Sequence, residues 1–136
     1  MKQLLLVATG SLMIGVTIGW NFHRYSKSEG IQFEFNDAAS RGDVGEMERL
    51  EALGADPLKS PFFKDANQYG YPAIVDAASA GQLDSLKYLL DKGADPNEVF
   101  GTETPLDLVI HRRKEAQEAI NLLERHGAKT LFERHQ

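Results

Sequence analysis

The chain has no cysteine, which excludes disulfide frameworks, thiolate metal sites and cysteine nucleophiles. It also lacks a Gly-x-Ser-x-Gly elbow, a Gly-Lys-Ser/Thr phosphate loop and a His-Glu-x-x-His helix, the short motifs of hydrolases, nucleotide sites and zinc peptidases. Four histidines do not fill the gap. His23 adjoins an apolar segment, His111 and His126 are fifteen residues apart, and His135 lies in the tail, so none has ligand spacing to another. No cluster of Lys and Arg with interleaved aromatics occurs either. From residue 28 onward twelve basic residues stand against twenty acidic ones, and within 28–102 the balance is six against fourteen. A domain charged in this way repels phosphate backbones and anionic lipid, so nucleic acid is not expected as a partner. No enzyme activity, cofactor, metal or small-molecule substrate is expected. The 136 residues leave room for about one domain.

What is present begins with an uncharged, largely apolar run over residues 4–20, preceded by Lys2 and followed by Arg24 and Lys27. As a helix, these 17 residues would span about 25 Å, just enough to cross a bilayer. Trp20 and Tyr25, with the basic residues beside them, resemble an interfacial anchor. Residues 1–27 therefore read as an N-terminal membrane anchor. The alternative is a cleaved secretory signal, with Thr17 and Gly19 as small residues before a cut; the length of the run and the lack of an Ala-x-Ala site argue against it. Flanking charge is nearly balanced, but a three-residue head before the apolar run is the arrangement of a signal anchor. The rest of the chain is thus expected on the exported side, periplasmic if the source is bacterial, with a cytoplasm-facing domain as the alternative. Ser11, Gly15 and Gly19 share one helix face and would admit a second helix, a route to a homodimer.

Beyond residue 28 the dominant feature is repetition. Ala38-Ala39-Ser40-Arg41-Gly42 returns as Ala77-Ala78-Ser79-Ala80-Gly81, and twelve residues after each glycine comes Gly-Ala-Asp-Pro, at Gly54 and at Gly93. A third unit opens at Thr104-Pro105-Leu106-Asp107 and closes at Gly127-Ala128. Val44, Met47, Leu50 and Leu53, like Leu83, Leu86, Leu89 and Leu90, fall at helical spacing and predict buried helix faces. Asp43 with Glu46, and Asp84 in the second unit, are placed to accept from free N–H groups at helix starts. Gly54, Gly93 and Gly127 mark helix ends in the left-handed conformation. The last helix is expected to be longer than its counterparts.

These residues resemble the ankyrin repeat, whose unit reads Gly-x-Thr-Pro-Leu-His-x-Ala-Ala-x-x-Gly, then a Leu-Leu helix, then Gly-Ala-Asp-x-Asn. The resemblance implies an all-α fold: about three helix-turn-helix repeats (33–66, 67–99 and 100–130) in a domain over 33–136. A linker over 28–32 would join it to the anchor. Gly70-Tyr71-Pro72-Ala73-Ile74-Val75 departs from the Thr-Pro-Leu-His start, Asp107 takes the histidine position, and Arg113 replaces a glycine. Histidine bracing between repeats is left without its histidine.

The connection over 56–70 is longer than its counterpart at 95–101 and carries Phe62, Phe63, Lys64 and Tyr69, with Tyr71 beside it. Aromatics on such a finger can anchor a partner, or fold back to cover a short stack. The resemblance places partners along the fingers and first helices, making Ser40, Arg41, Asp76, Ser79, Phe100, His111 and Arg112 further candidates. The leading expectation is a non-enzymatic module tethered to a membrane that binds a protein. Two alternatives stand beside it: an acidic, immunity-type inhibitor of a toxic enzyme, and a homo-oligomeric scaffold assembled through the N-terminal helix.

Overall fold

The structure, a computed structural model, describes residues 27–63, 68–112 and 116–136, with side chains at all of these except 62, 63, 68, 69 and 112. The expected anchor, with Ser11, Gly15 and Gly19, lies outside the described residues save for Lys27. Among the described residues no helix is long and apolar enough to cross a membrane.

Helix α1 (Lys27–Arg41) and α2 (Val44–Ala52) form the first pair, α3 (Ala73–Ala80) and α4 (Leu83–Asp91) the second, and α5 (Pro105–Arg112) and α6 (Gln117–Arg125) the third. A one-turn helix, α7 (Leu131–Arg134), follows. Between α2 and α3 the chain pairs β1 (Phe62–Phe63) with β2 (Gln68–Tyr69), antiparallel, with Phe62 opposite Tyr69. This small hairpin is an addition to the expected all-helical architecture. A single bridge, Phe100 to Glu103, forms the shorter counterpart between α4 and α5.

The helix ends follow from the residues anticipated for them. After α2, the Ala55 N–H reaches the Leu50 carbonyl at 2.9 Å and the Gly54 N–H reaches Glu51 at 2.9 Å; α4 and α6 close in the same way through Gly93-Ala94 and Gly127-Ala128. This closure needs a residue at positive φ, and Gly54, Gly93 and Gly127 adopt 110°, 93° and 80°. Asp43 caps α2, its carboxylate accepting from the Glu46 N–H at 3.0 Å. Asp84 does not do so for α4: the cap position belongs to Gln82, which makes no side-chain capping bond, and Asp84 sits inside the first turn. There it contributes by charge against the helix dipole rather than by a capping bond. Reciprocal capping boxes open α5, where Thr104 and Asp107 bond each other's backbone N–H groups, and α7, where Thr130 and Glu133 do the same.

Two further expectations need correction. Residues 28–32 are not a linker but the first turns of α1, since Gln32 packs inside and continues the helix. Helix α6 is no longer than its counterparts, at nine residues like α2 and α4; the extra residues of the third unit precede it.

Helices α1, α3 and α5 lie side by side as an inner layer, and each packs against its own outer partner, α2, α4 or α6. Ala38, Ala39, Ala73, Ala77 and Ala78 are buried between the inner helices, where a side chain of one carbon permits close approach. The space between layers is filled by Phe35, Met47, Leu50, Leu86, Leu89 and Leu123, all fully buried. Each such side chain contributes roughly 1.5–3 kcal/mol by leaving water. Because one pair cannot bury its own apolar face, the array is stable only as a stack.

Candidate functional site

The long connection between α2 and α3 is held to the stack by two buried amides of α1. Gln32 and Asn36 are each 5% exposed and sit one helical turn apart. The Gln32 amide donates to the carbonyls of Asp56 and Lys59, both at 3.0 Å, and its oxygen accepts from the Asp56 N–H at 2.9 Å. Asn36 donates to the Tyr71 carbonyl at 2.8 Å and to Asp76 Oδ2 at 2.9 Å. One amide therefore grips the start of the finger and the other its end. The buried donors and acceptors satisfy each other, as burial requires. Sequence reasoning passed over both residues. The available signal was a pair of amides at i and i+4 on a face otherwise built from Phe35, Ala38 and Ala39.

Asp76, offered as a partner contact, is half-buried and already bound to Asn36. Its carboxyl is pushed up to about 6, first by burial, against the opposing effect of the Asn36 hydrogen bond and with help from the nearby Asp37 charge. Its role in the structure is to join repeats.

Tyr71 fits the expectation of an exposed finger residue. It is 50% exposed, and its ring lies 4.1 Å from that of Phe100, centroid to centroid, tilted by 45°. The pair ties the base of the first finger to the tip of the second. A cleft of about 180 Å³ beside it is lined by Pro57, Leu58, Pro72 and Glu98 among others. Leu58, 56% exposed, lines this cleft, and Val99, 41% exposed, lies between Glu98 and Phe100 in the chain, so the finger side of the stack presents exposed apolar side chains. Leu58 and Val99 were not anticipated. Phe62, Phe63 and Tyr69 are placed in the hairpin by their backbones, and Lys64 lies outside the described residues.

The remaining candidates form a separate group at the other end of the inner helices. Ser40, Ser79 and His111 occupy equivalent positions in the three units, as do Arg41 and Arg112 in the first and third. Arg41 is exposed and paired with Asp37 on its own helix; the Ser40 hydroxyl donates to the Asp37 carbonyl at 2.8 Å. His111 is exposed, with Nδ1 3.4 Å from Glu103 Oε1. Arg112 is described only as the last residue of α5. Eight residues separate Tyr71 from Ser79, about 12 Å along a helix, so the aromatic group and this polar row are distinct clusters on one face.

Asp107 holds the third unit together. Its Oδ2 accepts from the Thr104 N–H at 2.9 Å, the Thr104 hydroxyl at 2.8 Å and the Leu131 N–H at 2.9 Å. Burial acts to raise its pKa, but these donors outweigh burial and the carboxyl lies below its ordinary 3.8. The aspartate thus ties the start of α5 to α7.

No curated protein matches the chain. The family model described as ankyrin repeats (many copies) matches residues 74–117, a span running from α3 to the first residue of α6. The match identifies residues 74–117 as ankyrin repeats, and the paired alanines on the inner helices, the glycine-closed outer helices and the fingers between the pairs carry the same pattern into the first unit.

Proposed function

We propose that this chain is a protein-binding module held at a membrane by residues 4–20, with its repeats on the exported side, and that it engages one protein partner through its finger face. Ankyrin repeats are protein–protein interaction modules, and the family match supplies that coarse function. The observation that carries the finger as the docking site is the exposed Tyr71, whose ring packs on that of Phe100, with Leu58 and Val99 exposed on the same two fingers. An aromatic held rigid by a neighbour loses little entropy on binding, and such residues are the usual anchors of interfaces. Gln32 and Asn36 support the same reading, because they fix the finger before any partner arrives.

The test uses the full chain with a photocrosslinking residue at position 71 and a C-terminal tag, in intact cells, outer-permeabilised cells and lysed membranes. A discrete crosslinked protein, lost in Phe100→Ala, with the tag digested before the cytoplasm is opened, is the expected result. A tag protected until lysis removes the exported placement. Crosslinking that is diffuse and indifferent to Phe100 removes the finger as the docking site.

A further inference from the structure

The two layers of the stack are spaced differently, and the difference opens a cleft. Buried alanines let α3 lie against α1 and α5, whereas the outer helices carry longer side chains and touch one another far less. At the first outer seam the gap is braced. The Tyr88 hydroxyl of α4 donates to Glu51 of α2, and Lys92 Nζ lies 2.8 Å from the other Glu51 oxygen and 5.2 Å from the centre of the Tyr88 ring. At the second outer seam no side-chain hydrogen bond or ion pair crosses between α4 and α6 themselves among the described residues; the tie lies beyond the helices, where Asn97 donates to the Gly127 carbonyl at 2.9 Å and accepts from the Lys129 N–H at 2.8 Å. A cleft of about 1080 Å³ occupies the seam.

The lining is ordered. Leu83, Lys87 and Asp91 recur along one face of α4, and Glu118, Leu122 and Arg125 along one face of α6. The trough therefore follows both nine-residue helices, about 13 Å. Leu83 and Leu122 give it apolar surface. Asp84 and Asp91 stand on one rim, and Glu118 and Glu124 on the other. These four carboxylates face only two fixed cations, Lys87 and Arg125, with His126 at one end. Small-molecule sites enclose about 300–1,000 Å³ and bury most of their ligand, whereas this trough is long, open and charged along both edges. Its shape suits a third helix laid into a groove, and its charge suits one that flanks an apolar stripe with Lys and Arg.

We propose that the cleft between α4 and α6 is a second docking surface, which accepts a cationic amphipathic helical segment of a partner protein independently of the finger face. The first outer seam is bridged between its helices by Glu51, Tyr88 and Lys92, which directs the same ligand to the trough between α4 and α6.

The test uses the full chain in nanodiscs of zwitterionic lipid and a fluorescent Leu/Lys amphipathic peptide of about 18 residues, long enough to hold a helix. Binding is read by anisotropy against empty discs. Asp84→Lys with Glu118→Lys is expected to weaken binding about tenfold, while Glu34→Lys with Glu48→Lys, the same change of net charge on α1 and α2, shifts it less than about twofold. Asn121→Trp, which fills the trough without altering its charge, is expected to weaken binding about tenfold, and Tyr71→Ala to leave it unchanged. Circular dichroism and the urea midpoint confirm that each variant is folded. An equal response to the two charge-reversal pairs, indifference to Asn121→Trp, or self-association of the chain that Asn121→Trp abolishes would overturn the proposal.

Discussion

Asn36 and Asp76, forty residues apart in the chain, meet across the first seam of the stack in a 2.9 Å hydrogen bond. The same amide reaches the Tyr71 carbonyl at 2.8 Å, so one side chain ties together two inner helices and the finger between them. Asn36→Ala removes both bonds and leaves a half-buried carboxylate and a carbonyl without that donor. We expect a loss of about 2–3 kcal/mol, seen as a lower urea midpoint.

Asp76 gives the stack a pH dependence opposite to that of most carboxylates. With a folded pKa of about 6 against an ordinary 3.8, the native state holds a proton that the unfolded chain releases between those values. Stability therefore falls as pH rises through about 4 to 6 and stays lower above it. Asp76→Asn, which keeps an acceptor for Asn36, is expected to flatten this slope and to raise the melting temperature at neutral pH. Asp107 works the other way: its depressed pKa contributes stability above 3.8 that is lost as pH falls through its lower folded value. Melting temperature measured from pH 3 to 8 separates the two.

Two glycines with similar backbones predict different costs. At Gly93, φ is 93° and an added Cβ meets nothing within 4 Å, so Gly93→Ala carries backbone strain alone, about 1–2 kcal/mol. At Gly42, φ is 79° and the added Cβ falls 2.6 Å from Gln82 Oε1. Gly42→Ala is expected to cost more than Gly93→Ala. Because the obstacle is the end of a flexible side chain, Gln82→Ala in the same chain should recover the difference in a denaturation cycle.

Tyr71 and Phe100 predict coupled losses of binding. Once the partner is captured by crosslinking, Tyr71→Ala is expected to weaken its binding by about 1–2 kcal/mol with the fold intact. The double variant with Phe100→Ala should lose less than the sum of the two single variants, because each ring positions the other. Additive losses would mean that the rings act separately.

The fold was legible because its signals are local. Gly-Ala-Asp-Pro closes an outer helix through contacts within six residues, and Ala38-Ala39 and Ala77-Ala78 mark the close-packed face directly. The resemblance to ankyrin repeats came from the same residues. The start of α1 was missed because Gln32 looks polar in sequence and is inside only by virtue of Asp56 and Lys59, more than twenty residues away. Asp76 was read as surface for the same reason, since its partner Asn36 belongs to another repeat. Asp84 stands two residues past the cap position that Asp43 holds in the first unit, and capping depends on a single position. Tyr71 stands out in the sequence as an aromatic beside a proline in an oversized loop, whereas the exposure of Leu58 and Val99 is visible only in the folded chain.

The closeness of α1 to the apolar run sets the leash on the whole molecule. Only residues 21–26 lie between Trp20 and Lys27, where the described part of α1 opens, and six residues reach no farther than about 20 Å even when fully drawn out. If residues 4–20 span a bilayer as proposed, the repeats hover within a couple of nanometres of the headgroups. A partner in the same membrane would then be met by lateral diffusion at a high local concentration, and modest contacts would suffice for occupancy. A partner lying farther from the bilayer would have to come to the chain.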